Sequence, residues 1–193
     1  MLEEIEKYAK TNNIPIMENE GIDFLTNYIK EKNVNTILEI GSAIGYSAIK
    51  MALIDKNIKI VTIERDEVRY NEAVKNINKF DLNNQITIIN NDAFEVELKD
   101  KFDLIFIDAA KSQSTKFFLK FKENLKENGT IITDNIYFHG LTYSNDIKSR
   151  NLRQMTRKIR EYVEFLKNNN EFKTEILEIG DGLALSTRNI TED

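Results

Sequence analysis

The chain has 193 residues, 41% hydrophobic and 31% charged, with no cysteine, one proline, one histidine and a net charge of −5. That length and balance fit one globular domain with a sizeable core, and the missing cysteine excludes disulfides, thiolate chemistry and zinc–sulfur sites. The acidic balance argues against a broad nucleic-acid-binding surface while leaving room for a local basic patch, and with no apolar run of membrane-spanning length and no signal peptide in Met1-Leu2-Glu3-Glu4, a cytoplasmic protein is expected.

In chain order, residues 2–10 read as a short helix and Asn12-Asn13-Ile14-Pro15 as a break. Residues 21–30 read as a second helix, with Ile22, Leu25 and Ile29 on one face. Residues 1–30 form an expected helical cover and 36–188 the core of a single domain spanning 1–193. Thr36-Ile37-Leu38-Glu39-Ile40 is a strand that stops at Gly41. A helix follows over 46–55, a strand over 59–64, an amphipathic helix over 67–80 and a strand over 85–90. Phe102-Asp103-Leu104-Ile105-Phe106-Ile107-Asp108 is nearly all apolar, as a central parallel strand buried on both faces would be. Next come a helix over 112–126, a strand over 129–134 and a long basic helix over 146–168. Strands over 173–179 and 183–188 close the chain. Gly180-Asp181-Gly182 between them is too short for a helical crossover, so that pair is antiparallel. The pattern predicts a Rossmann-like, doubly wound α/β fold: a mostly parallel seven-stranded sheet with a C-terminal antiparallel hairpin.

In such sheets ligands bind at the carboxyl ends of the strands, where Glu39, Glu64, Asp92, Asp108 and Asp134 fall. The run from Glu39 to Gly45 reads E-x-G-x-A-x-G, which is not the dinucleotide fingerprint. Gly41 lets a ligand approach the main chain, and an acid beside the loop suits a cationic ligand. S-adenosylmethionine (SAM), with its sulfonium and ammonium groups, fits; an ordinary strand–helix turn is the plain alternative. Glu64 can accept both hydroxyl hydrogens of a ribose or cap the next helix. Asp92, in Asn91-Asp92-Ala93-Phe94, can meet an adenine amino group or cap a turn. Asp108, Asp134 and Asn135 offer hard oxygen ligands suited to Mg²⁺, or are turn formers. Lys111 would stand in the same cleft as a general base, or be a surface lysine.

Three segments taken together, Glu39-Ile-Gly-Ser-Ala-Ile-Gly-Tyr-Ser47, Asp108-Ala-Ala-Lys111 and Thr133-Asp134-Asn135, resemble the cation-dependent O-methyltransferase family, which includes catechol and caffeoyl-coenzyme A O-methyltransferases. The resemblance spans 14–188. It implies SAM and Mg²⁺ (or Mn²⁺) as cofactors, with Asp108, Asp134 and Asn135 as metal ligands and Lys111, beside Asp108, as the base. It implies a cofactor site made by Ile16, Met17, Glu39, Gly41, Ser47, Glu64, Asp92, Ala93 and Asp108, with Glu64 on the ribose and Ser47 on the methionine carboxylate.

Within that family, Asn13-Ile-Pro-Ile-Met-Glu18, Asp134-Asn-Ile-Tyr-Phe-His-Gly140 and Ile179-Gly-Asp-Gly-Leu-Ala-Leu185 are similar to the bacterial tRNA 5-hydroxyuridine methyltransferases. The acceptor implied is the tRNA wobble uridine, with a free catechol-like molecule as the alternative. A third reading, a non-catalytic SAM- or RNA-binding protein, is opposed by the intact Asp108, Lys111, Asp134 and Asn135. Lys148, Arg150, Arg153, Arg157 and Arg160 are the candidates for phosphate contacts, the four arginines at helical spacing; a solvated helix is the alternative. His139 either touches substrate or packs. The chain departs from its group at Ser114, where an aromatic residue is common, and by the resemblance is expected to start after the leading helix that in the group often helps cover the cofactor or forms the dimer. A homodimer is the expected assembly.

Overall fold

The computed structural model describes residues 1–144 and 147–189. Seven strands form one sheet in the order β3-β2-β1-β4-β5-β7-β6. They are β1 (Thr36–Ile40), β2 (Lys59–Glu64), β3 (Ile86–Asn90), β4 (Phe102–Ile107), β5 (Leu125–Thr133), β6 (Phe172–Leu177) and β7 (Leu183–Arg188). Neighbours among β1–β5 run parallel, whereas β7 is antiparallel to both β5 and β6. The fold is therefore a Rossmann-like α/β sheet with a C-terminal antiparallel hairpin.

Helices α1 (Leu2–Thr11), α2 (Asn19–Glu31), α3 (Tyr46–Ala52) and α4 (Glu67–Lys79) cover one face, and α5 (Ser114–Phe121) and α6 (Arg150–Lys167) the other. Strand β4 shows why its sequence does not alternate. Leu104 and Phe106 enter the core under α1–α4, Ile105 and Ile107 the core under α5 and α6, and all four are at most 2% exposed. In the second core Phe118 packs edge-on against Tyr162, Phe165 and Phe172, and the Tyr162 hydroxyl meets Thr133 Oγ1 at 2.7 Å. Burying that phenol leaves no orphaned polar atom because the strand supplies a partner. The N-terminal helices are tied down in the same way: Tyr28 Oη on α2 meets Thr130 Oγ1 of β5 at 2.7 Å, and Tyr46 Oη on α3 donates to Glu6 Oε1 of α1 at 2.7 Å.

Two segments differ from the pattern expected from sequence. The single helix expected over 112–126 is a 3₁₀ turn (Lys111–Gln113), then α5, then a second 3₁₀ turn (Lys122–Asn124), and Leu125 and Lys126 already belong to β5. Leu125 is 2% exposed, so its burial in the sheet outweighs the local helical pattern. The chain between Leu125 and Thr130 bulges where the register against β4 shifts. The basic helix begins at Arg150, with the Ser149 hydroxyl accepting from Leu152 N–H; the expected start at Asp146 falls outside the described residues.

Candidate active site

The carboxyl ends of β1, β2, β4 and β5 are joined by main-chain hydrogen bonds that place their acids side by side. Gly41 N–H donates to the Ile63 carbonyl, Asp108 N–H to the Ile40 carbonyl and Asp134 N–H to the Ile107 carbonyl, at 2.9–3.1 Å. Above them lies a cavity of about 520 Å³. Of the residues singled out in the sequence, Ile16, Met17, Gly41, Glu64, Asp92, Ala93, Asp108, Lys111, Asp134, Asn135 and His139 line it. Gly41 has φ of +97°, and a Cβ there would stand 2.4 Å from the Asp108 carbonyl oxygen. Any side chain would both strain the turn and push β4 away.

Glu64 is 7% exposed, with Oε2 accepting from Ala43 N–H at 2.9 Å and Oε1 from Asp66 N–H at 2.8 Å. Each oxygen keeps a lone pair for a further donor, which fits a ribose diol. Asp92 Oδ1 accepts from Phe94 N–H at 2.9 Å, so this acid caps a turn and lines the cavity at once. Phe94 stacks on Phe117 at 4.7 Å, giving the same end an apolar wall.

Glu39 and Ser47 lie beneath the cavity rather than on its wall. Glu39 is fully buried and accepts hydrogen bonds from Ser47 Oγ and, at 2.5 Å, from Thr62 Oγ1. Burial pushes its carboxyl up to about 7, against the pull of these two hydroxyls. Ser47 and Thr62 thus tie the start of α3 and strand β2 to the end of β1.

At the opposite end stand Asp108, Lys111, Asp134 and Asn135. Lys111 Nζ lies 2.6 Å from Asp108 Oδ1. Asp134 is 4% exposed; burial, then the neighbouring Asp108 charge, raises its carboxyl above the usual range, with Lys111 opposing. Asn135 has φ of +62°, which Asn tolerates better than most residues. Its N–H donates to Asp134 Oδ1 at 2.7 Å and its Nδ2 to Asp181 Oδ2 at 3.2 Å. Among the described residues no three His, Asp or Glu side chains form a metal cluster. Two close carboxylates whose mutual repulsion raises one of them, with a neutral amide oxygen beside them, nonetheless fit a hard divalent cation. Asp108, Asp134 and Asn135 would hold it.

The arginines of α6 are elsewhere. Met155 is the α6 residue that lines the cavity. At 3.6 residues per turn, Arg150, Arg153, Arg157 and Arg160 point about 140–160° away from it. Arg160 donates to the Thr142 carbonyl at 2.9 Å and Arg157 pairs with Glu161 at 3.3 Å. Ser114, 4% exposed, donates from Oγ to the Lys111 carbonyl at 3.0 Å and so fastens the 3₁₀ turn that carries Lys111.

Sequence reasoning passed over Arg65, Arg69, Gln113, Phe138 and Met155, which also line the cavity. Phe138 stands within the quoted 134–140 segment; the others are marked by no motif, only by their place in the fold. Asp181 was read as a hairpin turn residue, but it is 7% exposed and reaches back to the loop after β5.

The family described as O-methyltransferase matches residues 1–189. The chain belongs to this family. A Staphylococcus aureus protein provisionally described as a caffeoyl-CoA O-methyltransferase is 39% identical, with a TM-score of 0.93 over 97% of this chain and 92% of that one. An O-methyltransferase from Bacillus cereus in complex with SAH is 25% identical, with a TM-score of 0.84 over 97% of this chain and 90% of that one. A caffeoyl-CoA O-methyltransferase from Populus kitakamiensis is 28% identical over 193 residues, 95% of this chain and 82% of that protein. The chain is thus a SAM-dependent O-methyltransferase.

Proposed function

We propose that this O-methyltransferase requires a divalent cation, Mg²⁺ or Mn²⁺, and methylates 5-hydroxyuridine at the tRNA wobble position to 5-methoxyuridine. One observation carries the choice of acceptor. The three segments that resemble the tRNA 5-hydroxyuridine methyltransferases, 13–18, 134–140 and 179–185, are far apart in sequence but neighbours in the fold: 13–18 and 134–140 both line the cavity, and 179–185 backs the loop after β5. Gly180 N–H donates to Glu20 Oε2 at 3.4 Å, just after the first segment. Ile136 and Tyr137 N–H donate to the Gly182 and Asp181 carbonyls at 3.0 and 2.9 Å. The likeness thus includes two stretches of the cavity wall and the turn that holds one of them in place.

The chemistry suits that acceptor. A 5-hydroxyuracil carries O4 and a 5-hydroxyl on adjacent carbons, a chelating pair like that of a catechol. A bound divalent cation supplies a Lewis acid that lowers the hydroxyl pKa and orients the oxygen. SAM supplies an electrophilic methyl on a sulfonium. Glu64 orients the ribose of the donor, while Phe94 and Phe117 keep water from that end. Lys111 Nζ, released from Asp108 and carrying a lone pair, takes the hydroxyl proton. The sulfur–methyl bond breaks as the oxygen–methyl bond forms.

A free catechol-like acceptor is the second reading, favoured by the caffeoyl-CoA names of the relatives. The deciding assay offers 5-hydroxyuridine-containing tRNA and a simple catechol side by side, with excess chelator and with Mg²⁺ or Mn²⁺ restored. We expect metal-dependent methylation of the tRNA, read by mass spectrometry of its nucleosides. Efficient methylation of the catechol alone would replace the RNA acceptor with the small molecule, and full activity in chelator would remove the metal.

A further inference from the structure

Asp181 lies in the turn between β6 and β7, remote in sequence from every residue of the metal-ligand set, yet its carboxylate touches that set from behind. Oδ2 accepts from Asn135 Nδ2 at 3.2 Å, and Oδ1 accepts from the His139 main-chain N–H. Asp181 is 7% exposed, so these bonds form largely out of water, where they hold orientation best. The loop they grip is unusual: Asn135, Phe138 and His139 all have positive φ, at 62°, 46° and 55°. Such a run persists only where its surroundings hold it.

An asparagine amide has two nearly isosteric ends, and only its oxygen can bind a cation. Nothing in Asn135 itself chooses which end faces Asp108 and Asp134. A carboxylate accepts and never donates, so Asp181 admits only the NH₂ end of Asn135 and turns the oxygen the other way. We propose that Asp181 is a positioning residue that fixes the Asn135 amide with its oxygen toward the divalent cation. The inference rests on the metal reading above.

This makes a sharp test possible with almost no change in volume. In Asp181→Asn, the His139 N–H still demands an oxygen, so the new NH₂ must face Asn135. Two NH₂ groups then oppose one another, and Asn135 can relieve this only by flipping its nitrogen toward the cation. In the double variant Asn135→Asp/Asp181→Asn, the new carboxylate at 135 accepts from the NH₂ at 181 and keeps an oxygen for the cation. Amide and carboxylate have changed places and the net charge is unchanged.

The measurement is Mn²⁺ binding, followed by electron paramagnetic resonance on SAH-saturated protein, with SAH affinity and melting temperature taken on the same samples. Partners that orient a ligand from behind are worth about 10- to 100-fold in metal affinity. Asp181→Asn should weaken Mn²⁺ by that factor and leave SAH affinity within about twofold. The exchanged pair should recover most of the loss, an interaction between the sites that a double-mutant cycle isolates. Equal Mn²⁺ affinity in wild type and Asp181→Asn, or a loss that the exchange does not recover, would overturn the assignment. A wild type that binds no Mn²⁺ overturns it together with the metal reading. A wild type that binds Mn²⁺ but methylates only catechols leaves it standing.

Discussion

Lys111 and Glu39 show how differently two charged side chains can serve one cavity. Lys111 reaches into it and is held at 2.6 Å by Asp108. In the proposed role of taking the acceptor proton it should carry a large part of the rate and little of the binding. Lys111→Ala should lower kcat by about 10²- to 10⁴-fold while SAH affinity, measured by calorimetry, changes little. A variant that keeps near-normal turnover would exclude the role. Glu39 instead lies wholly under the glycine loop, with its carboxyl raised from 4.5 to about 7 by burial. The folded chain then holds this proton over a range in which the unfolded chain has released it. Its contribution to stability is full below 4.5 and is lost as pH rises toward 7. The melting temperature of the wild type should therefore fall more between these pH values than that of Glu39→Gln, which has no such proton to lose. Parallel curves for the two proteins would contradict the assignment.

Helix α6 has a buried stripe of Thr156, Ile159, Tyr162, Val163 and Leu166, and its arginines lie on the opposite arc. Their spacing alone invites a phosphate-binding role near the acceptor. The helix's rotation in the fold brings Met155, not an arginine, to the cavity. Changing Arg153 and Arg157 to Ala should thus leave kcat/KM for a nucleoside acceptor within about twofold, since exposed substitutions away from the site are close to neutral. A tenfold loss in that assay would mean that the helix turns its other face to the site. The β6–β7 hairpin plays the opposite part. Its turn, with Asp181 buried and Gly182 lying against the Tyr137 ring, is the template for the loop after β5. A Cβ at Gly182 would come 2.7 Å from that ring.

For the molecule as a whole, the two ends that the proposed reaction gives to donor and acceptor are built by different parts of the chain. Loops after β1, β2 and β3 line the end proposed for the donor. Those after β4 and β5, backed by the hairpin turn, make the other together with Met155. SAM bound at the first should stabilise the whole fold by mass action, by about 2.7 kcal/mol when its concentration is a hundred times Kd. A thermal-shift titration should show a rising melting temperature for the wild type. For Glu64→Ala the SAM-dependent rise should be much smaller, measured against that variant's own unliganded value. An equal rise in both proteins would show that the ribose is not held there.

The periodicity of the sequence determined the elements, because burial of one face or both leaves a direct trace in the order of apolar residues. The nearly all-apolar β4 and the short Gly180-Asp181-Gly182 link were enough for the sheet type and the antiparallel end. The acids at the strand ends were legible for the same reason: once the strands are parallel, their carboxyl ends share one side. The interruption of the 112–126 helix was not legible. Leu125 fits a helical pattern locally and is claimed by the sheet only when β4 is alongside. Neither the direction in which α6 turns its arginines nor the reach of Asp181 to Asn135 could be read in advance. Both depend on how distant elements pack, and a side chain's partner across the fold leaves no periodic signal in its own neighbourhood.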